Sequence, residues 1–407
     1  MVATPTLNSE KSIKRSGSQE GCKAEASWCA AACLRFRLPC KNQNWSFAPE
    51  AYPSAVIDTA ERLADFLPRL RAAAWIALDT EADSLHAYPA KLCLLQFSIP
   101  GADELVDPLA AMDLAPLWET LHGRELLLHG SDYDLRLLRE HHHFVPHAIF
   151  DTMIAARLLG TLRFGLQDLV GQMLGVVLEK GPQKADWAQR PLTERMENYA
   201  RNDTRYLHPL VTKLREQLVA KGRLAWAEES CAALVAECAI LPPPEPDREW
   251  RIKGAARLTR SELAVLRELW HWREREATRC NRPPFFLLSH ELLIDLCIAA
   301  VDDAPLDALL PRRFAPHRRE GVVQAIARGL GVPPDECPRI LRGVSYHPTD
   351  AERSRFDRLK SHRDRRSVEL GIDPTLIASK LTLELLSRGG SKPTTLLLNW
   401  QRELMGL

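Results

Sequence analysis

The sequence predicts an α/β domain with a central sheet followed by an all-helical region, and three observations predict it. Short apolar runs of strand length in the first half, Trp75–Leu78 and Leu126–Leu128, alternate with stretches of helical period. The segment "ILPPPEPDREW" then places three prolines in succession, which cannot continue the preceding helix and favour an extended linker. Beyond it, apolar residues recur at helical spacing in segments separated by "NRPP". The expected division is an N-terminal extension over 1–49, the α/β domain over 50–240, the linker over 241–254 and the helical region over 255–407.

A chain of 407 residues has room for two or three domains, and 45% hydrophobic content is enough for sizeable cores. No apolar stretch reaches the length that spans a bilayer, so a cytoplasmic protein without membrane contact is expected. The formal charge of +1 selects no partner, but it is unevenly spread. From residue 241 onward 28 Lys and Arg face 23 Asp and Glu; before it 26 face 30.

The N-terminal extension starts Ser- and Lys-rich and lacks the order of a signal peptide. Its Cys22, Cys29, Cys33 and Cys40 match neither paired C-x-x-C ligands nor a common cluster spacing, so the segment reads as a poorly ordered leader. The six later cysteines sit in apolar or helical surroundings, where a reduced thiol behaves as a small hydrophobe.

The next element, "WIALDTEADSL", reads as a buried strand ending in Asp79 and Glu81. Two residues apart, their side chains leave one face of an extended chain, and a divalent cation with a preference for oxygen ligands would neutralise their repulsion. A solvated strand end is the bland alternative. In "ELLLHGSDYDLRLLRE" a strand, a glycine turn and a helix follow, with Asp132 and Asp134 at the helix start, where either could cap it or point into the crevice beyond the strand ends. In "ENYARNDTRYLHPL" Tyr199 and Asp203 lie four apart on one helical face. Asp151 and Thr152 read as a helix cap, and His141, His142 and His143 as a surface turn after a helix. Asp168, Asp186 and Glu197 read as structural acids.

In order and separation these three contexts resemble the DEDD exonuclease superfamily, specifically the ribonuclease D family with a Tyr-x-x-x-Asp third motif. The resemblance covers most of residues 50 to 220, including "YPAKLCLLQFS", "IFDTMIAARLL" and "KADWAQRPLTERMENYARND". It implies a ribonuclease H-like mixed sheet flanked by helices, and the family's His-x4-Asp-Leu pattern falls on His129, Asp134 and Leu135. Asp134 thereby takes the metal role and Asp132 becomes the cap candidate. It further implies two divalent ions, Mg2+ or Mn2+, held by Asp79, Glu81, Asp134 and Asp203, with Tyr199 orienting the attacking water. The implied product is a nucleoside 5'-monophosphate released from an RNA 3' end. His86, Gln96, His129 and Lys184 are placed along the nucleotide groove by the same resemblance.

The segment from Leu258 to Ala300 resembles the helicase-and-RNase-D C-terminal (HRDC) module, a small helical bundle that helps bind nucleic acid. Later helices are expected at 316–331, 373–387 and 394–405, forming one module or two. Between them "ERSRFDRLKSHRDRR" carries seven basic residues, among which Arg358, Arg363 and Arg365 are candidate phosphate contacts; a solvated helix face is the alternative. The expected function is a 3'-to-5' exoribonuclease acting on structured RNA such as tRNA precursors, with no obligate protein partner. A DNA-directed 3'-to-5' exonuclease and a non-catalytic RNA-binding protein on the same fold are the competing readings.

Overall fold

The computed structural model describes residues 56–407 except 242, 244, 342–345 and 391. The expected extension over 1–49, with its four cysteines, lies outside the described residues. Strands β1 (Ile76–Ala82), β2 (Leu92–Ile99) and β3 (Ala102–Val106) form an antiparallel meander. Strands β4 (Glu125–Leu128) and β5 (Ala148–Asp151) add in parallel to the other edge of β1, giving the mixed order β3-β2-β1-β4-β5.

The parallel pairings require crossovers, supplied by helices. Helix α1 (Ala60–Ala72) precedes β1, α2 (Ala115–Leu121) leads into β4, and α3 (Asp132–His142) connects β4 to β5. Five more follow: α4 (Thr152–Leu158), α5 (Leu166–Leu174), α6 (Glu194–Arg205), α7 (Leu207–Ala220) and α8 (Leu224–Ala239). Alternation along β1 sends Ile76 and Leu78 into a core with Leu63, Phe66 and Leu70 of α1, while Ala77 packs with Leu207, Leu210 and Leu214 of α7. Helices therefore cover both faces. The strand carries the acids, as expected. It continues through Asp79 and Glu81 because Leu94 and Gln96 of β2 keep pairing with them.

The helical region begins with α9 (Arg260–Cys280), α10 (His290–Val301) and α11 (Pro316–Leu330), which enclose a core of their own around Trp250, Leu266, Leu293 and Val322. Helices α12 (Asp350–Leu370), α13 (Lys380–Arg388) and α14 (Asn399–Met405) follow. The continuous helices expected at 373–387 and 394–405 are each interrupted. Ala378 and Leu397 are extended, so one-turn helices precede α13 and α14, and Ser379 caps α13. The core of these helices, with Ile372, Leu383 and Trp400, is continuous with that of α7. Buried Arg223 stitches the junction, its guanidinium donating to the carbonyls of Leu158 and Leu370, each at 2.7 Å.

Helices α9 and α12 share one plan. Each opens on a threonine capping box, Thr259 with Glu262 and Thr349 with Glu352, and each closes on a left-handed residue, Asn281 and Gly371. In each a buried arginine grips the next residue's carboxylate and a carbonyl fifteen residues on: Arg273 with Glu274 and Leu288, Arg363 with Asp364 and Ala378. A serine then caps the following helix, Ser289 in one case and Ser379 in the other. Among the described residues no helix is long and apolar enough to cross a membrane.

Candidate active site

Because β1 sends every second side chain to the face covered by α6 and α7, Asp79 and Glu81 continue the row begun by Ala77. Helix α6 is laid over this face by Met196, Ala200 and Thr204, all buried, and Thr204 hydrogen-bonds Ser98 of β2 at 2.8 Å. That seating turns Tyr199 and Asp203, four residues apart, toward the acids of β1. Carboxylate oxygens of Asp79, Glu81 and Asp203 all lie within 4.8 Å of one another. They open on a cavity of about 370 Å³ lined also by His129, Gln167, Asp168, Gln183 and Tyr199.

Asp134 stands outside this group of three. It lies buried in the first turn of α3, where its carboxylate accepts a hydrogen bond from the Thr80 hydroxyl. Thr80 points to the opposite face from Asp79 and Glu81, so the bond clamps α3 to the strand that carries them. Asp132 is not the cap of α3. It is an exposed first-turn acid paired with Arg136, and Ser131 occupies the cap position. The actual anchor of this helix start is Asp151, whose carboxylate accepts from Gly130 N, Ser131 N and Ser131 Oγ while capping α4 through Met153 N and Ile154 N. His141 and His142 form the last turn of α3, and His143 caps it with a φ of 53°.

Electrostatics mark the cluster out. Burial, then the charges of Asp134, Asp203 and Glu81, raise the Asp79 carboxyl well above its ordinary range. Burial and the charges of Asp203 and Asp134 push Glu81 up to about 9. Asp203 rises to about 7 through burial, opposed by the hydroxyl of Tyr199, and Asp134 rises to about 6 through burial, opposed by Thr80. A set of carboxylates so crowded is held ionised only by added positive charge, and all-oxygen donors of this kind fit a hard divalent cation. The residues present therefore suit a metal.

Tyr199 shares the cavity wall with Asp203 and Gln183; burial and the charge of Asp203 raise the pKa of its hydroxyl, and Gln183 opposes the rise. The ring is flanked by Trp187, with centroids 6.1 Å apart, and by Gly181, where even a β-carbon would meet Tyr199 Cδ2 at 1.5 Å. Gln183, Gly181, Thr80 and Asp151 are the site residues that the motif reading missed. Only Asp151 had a local signal, as a helix cap.

The other expected contacts separate. His129 lines the cavity. His86 is exposed and donates to the Lys184 carbonyl at 2.9 Å, which ties the loop after β1 to the loop before α6. Gln96 lies directly opposite Asp79 but is fully buried, with neither amide atom hydrogen-bonded among the described residues, so it underlies the site and does not reach a groove. Arg358 and Arg365 are exposed on α12. Arg363 is a correction: it is buried and spent on Asp364 and the Ala378 carbonyl, because α13 and α14 cover that side of the helix. Asp168, read as structural, reaches the cavity but is paired with Arg163 at 2.7 Å.

Comparison with known proteins bears on the same residues. The family model described as 3'-5' exonuclease matches residues 54–219, and the HRDC domain model matches 262–303. A ribonuclease D of Gluconacetobacter diazotrophicus is 33% identical over 87% of this chain and 92% of its own. One from Psychromonas ingrahamii is 29% identical over 86% and 98%. Among solved structures, RNase D of Escherichia coli, described as an exoribonuclease involved in structured RNA processing, superposes with a TM-score of 0.68 at 28% identity, covering 86% of this chain and 96% of that one. The chain belongs to the ribonuclease D family of 3'-to-5' exoribonucleases.

Proposed function

We propose that the chain removes nucleotides from RNA 3' ends by hydrolysis assisted by two divalent ions, Mg2+ or Mn2+, and releases nucleoside 5'-monophosphates. The observation that carries this reading is the convergence of Asp79, Glu81 and Asp203, from a strand and a distant helix, within 4.8 Å. Asp79 and Glu81 with Asp203 would hold the ions, and Asp134, a step removed, would support them through water. Ions bound there would supply an activated water at neutral pH and positive charge beside the leaving 3'-oxygen. Tyr199 stays protonated, since burial and Asp203 raise its hydroxyl well above the usual range. Its hydroxyl, on the cavity wall beside Asp203 and Gln183, would orient the attacking water.

Structured RNA, such as tRNA precursors, is the substrate that this reading favours, with the exposed arginines of α12 supplying phosphate contacts. The shared plan of α9 and α12 supports two HRDC-like modules, divided near residue 345. The test is to incubate the protein with 5'-labelled and 3'-labelled RNA and DNA oligomers with magnesium, with manganese and with chelator. Metal-dependent release of 5'-monophosphates from RNA 3' ends, abolished by Asp79→Ala, is expected. Release that survives chelation or Asp79→Ala would overturn the reading.

A further inference from the structure

His129 stands at the cavity wall, and its surroundings dictate which of its nitrogens carries the proton. Its Nδ1 lies 2.8 Å from Thr152 Oγ1, and that hydroxyl donates its single proton to the Leu128 carbonyl at 3.1 Å. The hydroxyl oxygen can then only accept, so Nδ1 must be the donor. Burial lowers the imidazole's basicity, and the nearby Asp151 carboxylate, already taking five hydrogen bonds, is not bonded to the ring. The ring is neutral, and Nε2 presents a lone pair. Among the described residues the metal-competent group comprises Asp79, Glu81 and Asp203 without His129.

A neutral acceptor in this cavity cannot serve a phosphate, whose oxygens are themselves acceptors. It matches a hydrogen-bond donor of the bound nucleotide: a ribose hydroxyl, the exocyclic amine of adenine, cytosine or guanine, or the ring N–H of uracil or guanine. No base donor is common to all four bases, so an enzyme that trims any sequence gains nothing from contacting one; of the ribose hydroxyls, the 3' is shared by RNA and DNA ends, and the 2' marks an RNA end. We propose that His129, locked by Thr152 as the Nδ1–H tautomer, accepts a hydrogen bond from the 2'-hydroxyl of the 3'-terminal nucleotide and so selects RNA ends over DNA ends. This rests on the proposed function, since it places the terminal nucleotide in the same cavity.

The tautomer is read without turnover, from the 15N shifts of the His129 ring in the full chain. A pyridine-type Nε2 with a pyrrole-type Nδ1 is expected, and the reverse assignment overturns the proposal whether or not the protein proves to be a nuclease. Turnover is then compared on RNA oligomers ending in ribo-, 2'-deoxy- or 2'-fluoro-uridine and in ribocytidine. The wild type should lose about tenfold in kcat/KM on both 2'-altered ends, the scale of one lost hydrogen bond. His129→Ala should be slow on the ribo end yet indifferent to the 2' group, and Thr152→Val, which keeps the ring and frees its tautomer, should fall between. A wild type indifferent to the 2' group, a His129→Ala protein that still discriminates, or a His129→Ala effect confined to uridine against cytidine would overturn the assignment.

Discussion

Replacing Gly181 by alanine tests whether the tyrosine's placement, rather than its mere presence, matters to turnover. The added methyl would sit 1.5 Å from Tyr199 Cδ2, 2.2 Å from Cε2 and 2.3 Å from Cγ, against the roughly 3.5–4.0 Å at which carbon atoms rest. Relief requires the ring or the loop before α6 to withdraw by roughly 2 Å. Trp187 limits the ring's retreat, so the shift displaces Tyr199 from its place on the cavity wall beside Asp203. Misplacement by about 1 Å costs about 10²-fold in rate, and overpacking costs about 1–3 kcal/mol of stability. Gly181→Ala is therefore expected to lower kcat on an RNA oligomer about 10²-fold and to shift the urea midpoint. In a Tyr199→Ala background the ring is gone, and the same methyl should cost almost nothing in either measurement. A Gly181→Ala protein with wild-type kcat, or an equal penalty in both backgrounds, refutes the argument.

Three further outcomes are expected. Arg223→Ala leaves the Leu158 and Leu370 carbonyls without their donor at the junction with the C-terminal helices, and should cost about 2–4 kcal/mol in a denaturant melt; a loss below about 0.5 kcal/mol would contradict the stitching role. His208, stacked on Trp75 with ring centroids 4.3 Å apart, has its pKa lowered by burial from 6.5 to about 4. The unfolded chain then takes up that proton first, so stability should fall as pH drops from 6.5 toward 4 and be unaffected above 6.5. His208→Gln should flatten that slope, and an unchanged slope would count against it. Neutralising Arg355, Arg358, Arg365 and Arg366 while sparing buried Arg363 should weaken RNA binding and reduce its salt dependence; unchanged affinity and slope would remove α12 from the RNA-binding surface.

What could be read from the chain alone divides along a physical line. Asp79 with Glu81, and Tyr199 with Asp203, were legible because strand and helix periods act within a few residues and put each pair on one face. The choice between Asp132 and Asp134 was not, because it turns on Thr80, fifty-four residues away, and on Arg136 drawing Asp132 outward. Gln183 and Gly181 were invisible for a related reason. They lie on a stretch without regular structure between α5 and α6, where no period links sequence to facing, and their role exists only against Tyr199. The mixed sheet with helices on both faces was expected, but its order β3-β2-β1-β4-β5 was not legible, because it turns on pairings between strands far apart in the chain.

Arg363 is a different case. A run of basic residues does not say which side of its helix is covered, so composition alone could not separate Arg363 from Arg358. Yet the distinguishing signal was present at a longer range. An arginine followed by an acid, fourteen residues after a Thr-x-x-Glu cap and sixteen before a capping serine, occurs at Arg273 and again at Arg363. In both places the structure buries the guanidinium on a carbonyl of the turn that follows. A chain compared with itself thus separates an arginine that staples a helix to the next turn from one that faces solvent, a distinction that charge counting cannot make.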